Sequence, residues 1–160
     1  MDDPSAKDAR RPGSGPRPAP VSRALPMLLL RAREAVLEPA RPILRRHDLT
    51  EPQWRVLRTL DVDGEMETTR LSQAASLHAP SVTRIMRDLS AKGYVARKAG
   101  PRDGRVVMVA ITPAGHAVVA EVWPQVLQLA ARLRAAYGEA AMQELEKRLA
   151  RLIETAESRD

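Results

Sequence analysis

Residues 68–112, TTRLSQAASLHAPSVTRIMRDLSAKGYVARKAGPRDGRVVMVAIT, decide how the whole chain is read. The segment predicts a short helix over about 69–75, a turn at Ser76-Leu77-His78, and a second helix that opens with Pro80 at its first position, where a missing N–H does no harm. In that second helix Val82, Ile85, Met86 and Leu89 repeat at i, i+3, i+4 and i+7, one complete apolar stripe. Ser81, Thr83, Arg84, Arg87, Asp88 and Lys92 fall on the opposite face, and Gly93 stands where a left-handed helix end is wanted. Residues 94–99 and 105–111 are the β-like runs of the chain, and Gly100-Pro101-Arg102-Asp103-Gly104 between them favours a tight reversal. The expectation is a helix-turn-helix followed by a two-stranded hairpin with a charged tip, leaning on the helices before it because such a hairpin is marginal alone.

Charge concentrates in the same place. Between His78 and Arg105 there are seven cations (Arg84, Arg87, Lys92, Arg97, Lys98, Arg102, Arg105) and two anions (Asp88, Asp103), a surplus of five in a chain whose net charge is +6. An anionic partner is implied. With four aromatic residues and no Phe, stacking platforms for single strands or RNA are poorly supplied, whereas a duplex reader needs none.

A helix-turn-helix places its second helix in the major groove with the N-terminal half nearest the bases. Arg84 is the best-matched base contact, since its planar fork bonds two acceptors on a guanine edge. Ser81, Thr83 and Arg87 suit either bases or phosphates, and His78 with the free N–H groups around Pro80 suits a phosphate. Arg102 and Arg105 on a thin loop can enter a narrow minor groove, with Asp103 holding a guanidinium in pose. The plainer reading of that tip is a solvated charged turn.

Outward from this segment, residues 1–22 combine Pro, Gly, Ser and charge and read as a disordered tail. Residues 23–46 form a Leu-, Ala- and Arg-rich helix, bent or broken at Pro39 and Pro42, whose Met27, Leu28, Leu29, Leu30, Ala32, Val36 and Leu37 make it apolar over more than half its circumference. Thr50 and Gln53 form a T-x-x-Q capping box, opening a helix that buries Trp54, Val56, Leu57 and Leu60 and stops near Gly64. Thr112-Pro113 restarts a helix that continues through a kink at Pro124 to about Tyr137, and Gly138 separates it from a last helix with Met142, Leu145, Leu149, Leu152 and Ile153 on one face. The first and last helices carry more apolar surface than a winged core can cover.

At 160 residues the chain fits one domain that can bury a core unaided. It has no cysteine, which excludes thiol redox sensing, Cys-ligated zinc and disulfides. There is no secretory leader pattern and no apolar run long enough for a membrane span, so a cytoplasmic location is expected. His47, His78 and His116 lack ligand spacing and no Gly-rich phosphate loop occurs, so neither an enzyme nor a bound cofactor is expected. A metal-responsive regulator and a winged-helix protein-interaction module stay open as alternatives.

The succession of LTEPQWRVLRTL (residues 49–60), the helix-turn-helix, the wing pattern Asp103-Gly104-Arg105 and VAITPAG (residues 109–115) resembles the MarR family of winged-helix regulators over residues 22–157. RAREAV (residues 31–36) and LTEPQWRVLR are most similar to its branch that represses homoprotocatechuate-degradation operons. The resemblance implies a mainly α fold with a small β-hairpin: a winged helix-turn-helix lobe over 48–112, flanked by dimerisation helices over 23–47 and 113–157. It further implies a homodimer on a pseudo-palindromic operator, acting as a repressor released by a phenolic or aromatic-acid effector. For such an acid Trp54 offers a flat wall, and Arg33, Arg55 or His47 a cation or donor. The plainer readings are a core position for Trp54, surface ion pairs for Arg33 and Arg55, and a connector residue at His47.

Overall fold

Thr50 starts a helix in the computed structural model by the mechanism that its sequence predicts. Its hydroxyl accepts the Gln53 N–H at 3.4 Å, and the Gln53 side chain accepts the Thr50 N–H at 3.0 Å. Two orphan donors of the first turn are thereby satisfied. The structure describes residues 24–99 and 107–158. The tail expected over residues 1–22 and the wing tip with Arg102, Asp103 and Arg105 lie outside them.

The described elements are α1 (Leu25–Leu37), a 3-10 turn (Glu38–Ala40), α2 (Arg41–Arg46), α3 (Glu51–Asp63), β1 (Met66–Glu67), α4 (Thr68–Ala74), α5 (Ala79–Ala91), β2 (Val95–Ala99), β3 (Val107–Ile111), α6 (Pro113–Tyr137) and α7 (Glu139–Glu157). Contacts divide the chain into two units after Val36. In the first unit, α1 buries none of its side chains and leaves Leu25, Leu28, Leu29, Leu30 and Val36 exposed. The interruption expected at Pro39 and Pro42 is present: Pro39 lies in the 3-10 turn and Pro42 in the first turn of α2.

The core lies in the second unit. α3 contributes Trp54, Val56, Leu57 and Leu60, α5 contributes Val82, Ile85, Met86 and Leu89, and α6 contributes Val118, Val119 and Val122. These are the stripes that the 3.6-residue period marks out. α3 stops at Gly64 (φ +79°) and α5 is followed by Gly93 (φ +72°), both in conformations that favour glycine. Lys92, at the end of α5, pairs with Asp48 at 2.7 Å and so ties the α2–α3 connector to the helix-turn-helix.

The sheet departs from the sequence expectation. β2 and β3 pair antiparallel, with Val95 opposite Ile111 and Arg97 opposite Val109, but β1 adds a third strand on the other edge of β3, with Met66 opposite Val109. The expected two-stranded hairpin is therefore part of a three-stranded sheet. Met66 and Val109 are both buried, and this gives the hairpin a covered edge as well as a face. Tyr94 precedes β2 rather than joining it, its N–H bonding back to the Leu89 carbonyl.

α6 continues across Pro124 without a break, forfeiting there only the bond that an N–H would make one turn back. Its first half buries Gly115, Val118, Val119 and Val122. Beyond it Leu127, Leu133 and Tyr137 are exposed, as are Leu145, Leu152 and Ile153 on α7, which buries none of its side chains. Arg134 joins the two helices, bonding Glu146 at 2.6 Å and Glu139 at 3.2 Å. Glu139 is held below the usual carboxylate range by the Gln143 amide first and then by Arg134, and Glu146 by Arg134. Among the described residues no helix is long and apolar enough to cross a membrane.

Candidate nucleic-acid interface and ligand cavity

α5 presents its polar side outward because its other side is fully committed to the core. Pro80 lies in the first turn, His78 precedes the helix in extended conformation without capping it, and both are exposed. Thr83, Arg84 and Arg87 are exposed and Ser81 half-buried. The Thr83 hydroxyl donates to the Ala79 carbonyl at 3.2 Å. Arg97 on β2 donates to the Thr83 carbonyl at 3.3 Å and fixes the strand against the helix. Arg87 is loosely paired with Asp88 at 3.5 Å, whereas no described residue pairs with Arg84. Arg84 is thus the one of the two whose fork no described carboxylate engages. His78, Pro80, Ser81, Thr83, Arg84 and Arg87 lie on one stretch of a single surface; Arg102, Asp103 and Arg105 belong to the residues not described.

A cavity of about 330 Å³ opens beside α3, within the range of small-molecule sites. Its walls include Leu37, Ala40, Leu44, Trp54 and Val126, with Trp123 from α6 and the polar side chains Glu51, Arg55 and Arg58. Trp54 is both buried in the core and a wall of this cavity. Arg55 lines it too and is already engaged: it donates to the Ser76 carbonyl at 3.2 Å and to Glu51, also in the lining, at 3.4 Å. Its Nε lies 3.2 Å from the other Glu51 oxygen without hydrogen-bond geometry, a purely electrostatic contact.

His47 and Arg33 are not among the lining residues. His47 lies 3.5 Å from Glu121, and Arg33 pairs with its neighbour Glu34 at 2.8 Å. The residues that sequence reasoning passed over are Arg58 and Trp123. Arg58 Cζ stands 4.1 Å from the centre of the Trp123 ring, a cation–π contact between α3 and α6. The signal for Arg58 was its place four residues after Trp54, on the same helix face. Trp123, 65 positions beyond, carried none. Asp61 pairs with Arg58 through one oxygen and accepts from His116 Nδ1 through the other at 2.8 Å. Among the described residues no three His, Asp or Glu side chains converge on a common point where a metal could be held.

A short helix and a cationic, outward-facing second helix, followed by an antiparallel wing packed against them, define a winged helix-turn-helix, the architecture of a DNA-binding regulator. Residues 49–107 match the MarR family. Over 136 residues the chain is 32% identical to the homoprotocatechuate degradative operon repressor of Escherichia coli, covering 85% of this chain and 92% of that one. The fold is shared with the transcriptional regulator PA4135 (TM-score 0.78, 35% identity, 82% of this chain and 96% of that one). It is shared also with NadR in complex with 4-hydroxyphenylacetate (TM-score 0.71, 31% identity, 79% and 89%). The chain belongs to the MarR family; it is a DNA-binding transcriptional regulator and not an enzyme.

Proposed function

We propose that this regulator is a dimeric cytoplasmic repressor of an aromatic-acid catabolic operon, released from a pseudo-palindromic operator when a phenolic or aromatic carboxylate enters the cavity beside α3. The observation that carries the reading is the pairing, in one cavity, of two indole rings with the Arg58 guanidinium. Flat apolar walls hold an aromatic ring, and a guanidinium fork takes a carboxylate through two parallel bonds. Glu51 adds an acceptor that a phenolic hydroxyl can reach. In this reading Trp54 serves as a wall and Arg55 as a flanking cation, as their sequence suggested, and the carboxylate falls to Arg58, which lines the cavity, rather than to Arg33 or His47, which do not. The relatives support the same chemistry: one represses a homoprotocatechuate operon, and another was crystallised with 4-hydroxyphenylacetate.

Operator contact falls to Arg84 for base edges, with Ser81, Thr83 and Arg87 on bases or phosphates and His78 and the helix start at Pro80 on a phosphate. On the sequence reading, Arg102 and Arg105, steadied by Asp103, enter the minor groove. The test uses operator fragments selected from the source genome, titrated with homoprotocatechuate, 4-hydroxyphenylacetate and salicylate. Binding heat and operator release are expected with at least one of them; neither with any would sink the effector reading.

The dimer rests on exposed apolar side chains: Leu28, Leu29 and Leu30 on α1, Leu127 and Leu133 on α6, and Leu145, Leu152 and Ile153 on α7. Exposed singly, such residues are ordinary; in runs along three helices they mark an interface. Sedimentation at micromolar concentration is expected to give a dimer, and a monomer would overturn this part of the reading.

A further inference from the structure

We propose that Asp61 is an internal counter-ion that an acidic effector displaces from Arg58, and that His116 receives it. The inference rests on the cavity reading above and names how that cavity selects for charge. Arg58 is held from two sides, by the Trp123 ring at 4.1 Å and by an ion pair with Asp61 one turn along α3. The pair is sheltered, with side-chain exposures of 23% and 22%, so water screens it less than a surface pair. Asp61 is shared: its other oxygen accepts from His116 Nδ1 on α6 at 2.8 Å.

This geometry defines an exchange. An incoming carboxylate that uses the Arg58 fork competes with the oxygen of Asp61 already there. As Arg58 turns to the ligand, Asp61 keeps a partner in His116, and no carboxylate is stranded between the helices. A neutral ligand has no charge with which to drive the exchange. Asp61 therefore lowers affinity for acids selectively, and His116 lessens that penalty.

The receiving end is well placed to report occupancy. His116 lies in the first turn of α6, and its N–H bonds to the Thr112 carbonyl. Thr112 caps α6, donates its hydroxyl to the Gly93 carbonyl at 2.6 Å and its N–H to the Tyr94 carbonyl at 3.0 Å. The same turn thus touches the cavity network on one side and the base of the wing on the other.

Calorimetry of the full chain with 4-hydroxyphenylacetate and with its neutral amide, 4-hydroxyphenylacetamide, tests the exchange. In Asp61→Asn the acid is expected to bind about two- to fivefold tighter, the upper part of what such ion pairs contribute, and the amide within about 1.5-fold of wild type. In His116→Ala the acid is expected to bind about threefold weaker, with recovery in His116→Gln, which keeps an N–H donor. Equal gains for acid and amide in Asp61→Asn, or no gain for either, would overturn the proposal. So would a His116→Gln variant no better than His116→Ala, a comparison that stands even if Asp61→Asn melts early. Wild-type protein that binds neither probe overturns the exchange, and if homoprotocatechuate and salicylate give no heat either, the cavity reading falls with it; wild-type binding with unchanged preference in the variants removes the exchange alone.

Discussion

Replacing Gly115 by alanine is expected to destabilise the chain by about 3 kcal/mol or more, at the upper end of what overpacking costs. For a chain of this size that corresponds to a fall of roughly 6–12 °C in thermal midpoint. The cause is space. A Cβ at residue 115 would stand 2.2 Å from the Tyr94 carbonyl oxygen and 2.6 Å from Ile111 Cγ1, and the first of these is backbone that cannot swing aside. That carbonyl is already engaged, since it accepts the Thr112 N–H, and Gly115 itself donates to the Thr112 hydroxyl at 3.1 Å. Any shift that admits the methyl group must loosen the junction of α5, β2, β3 and α6 together. Gly93 provides the contrast, because its φ of +72° favours glycine while nothing lies within 4 Å of its missing Cβ. Asparagine tolerates that backbone, so Gly93→Asn should retain most of the stability whereas Gly115→Asn should not. A differential scan in which Gly115→Ala melts within 2 °C of the parent would show that the contact relaxes freely, and would refute the argument.

Those two glycines also show what a sequence exposes and what it hides. Gly93 follows a finished amphipathic stripe and is legible as a helix end, as are the Thr50 capping box, the Thr112-Pro113 start and the stripe Val82, Ile85, Met86 and Leu89. Each of these signals is local, with cause and effect within one or two turns. Gly115 is different, because the atom that requires it lies at Tyr94, brought near only when the strands pair. The same distance hid the cavity. Trp54 and Arg58 are one turn apart and could be read together, but Trp123 and His116 reach them from another helix, and no periodicity links residue 58 to residue 123. β1 escaped for an opposite reason: a strand of two residues cannot display alternation, and Met66-Glu67 becomes a strand only because β3 offers an unpaired edge. The MarR resemblance supplied the architecture that local signals left open and pointed to Trp54 and Arg55, while Arg58, Trp123 and Glu51 joined them in the cavity only through geometry.

Arg84→Ala is expected to weaken operator binding by roughly two orders of magnitude and to narrow the gap between the operator and a scrambled duplex. One bidentate contact to a base edge is worth about 1–3 kcal/mol of discrimination. A two-fold operator read by two copies loses it twice, and contacts so far apart add nearly independently. Two features of the structure favour Arg84 for this role over the other cations of α5. It lies just over one turn into the helix and is exposed, near the end that a recognition helix turns to the bases. No described side chain occupies its guanidinium, whereas Arg87 must give up Asp88 before it can bind. Arg105→Ala serves as the comparison, since a minor-groove or phosphate cation should weaken every duplex about equally and lower the salt dependence of binding. Fluorescence anisotropy at fixed salt, with operator and scrambled duplexes of equal length, separates the two behaviours. Equal losses on both duplexes for Arg84→Ala would assign Arg84 to the phosphates and move base reading to Ser81, Thr83 or Arg87. No loss on either would mean that α5 does not enter the groove by its N-terminal half, because an exposed and unengaged guanidinium at that position cannot be in the groove and contribute nothing.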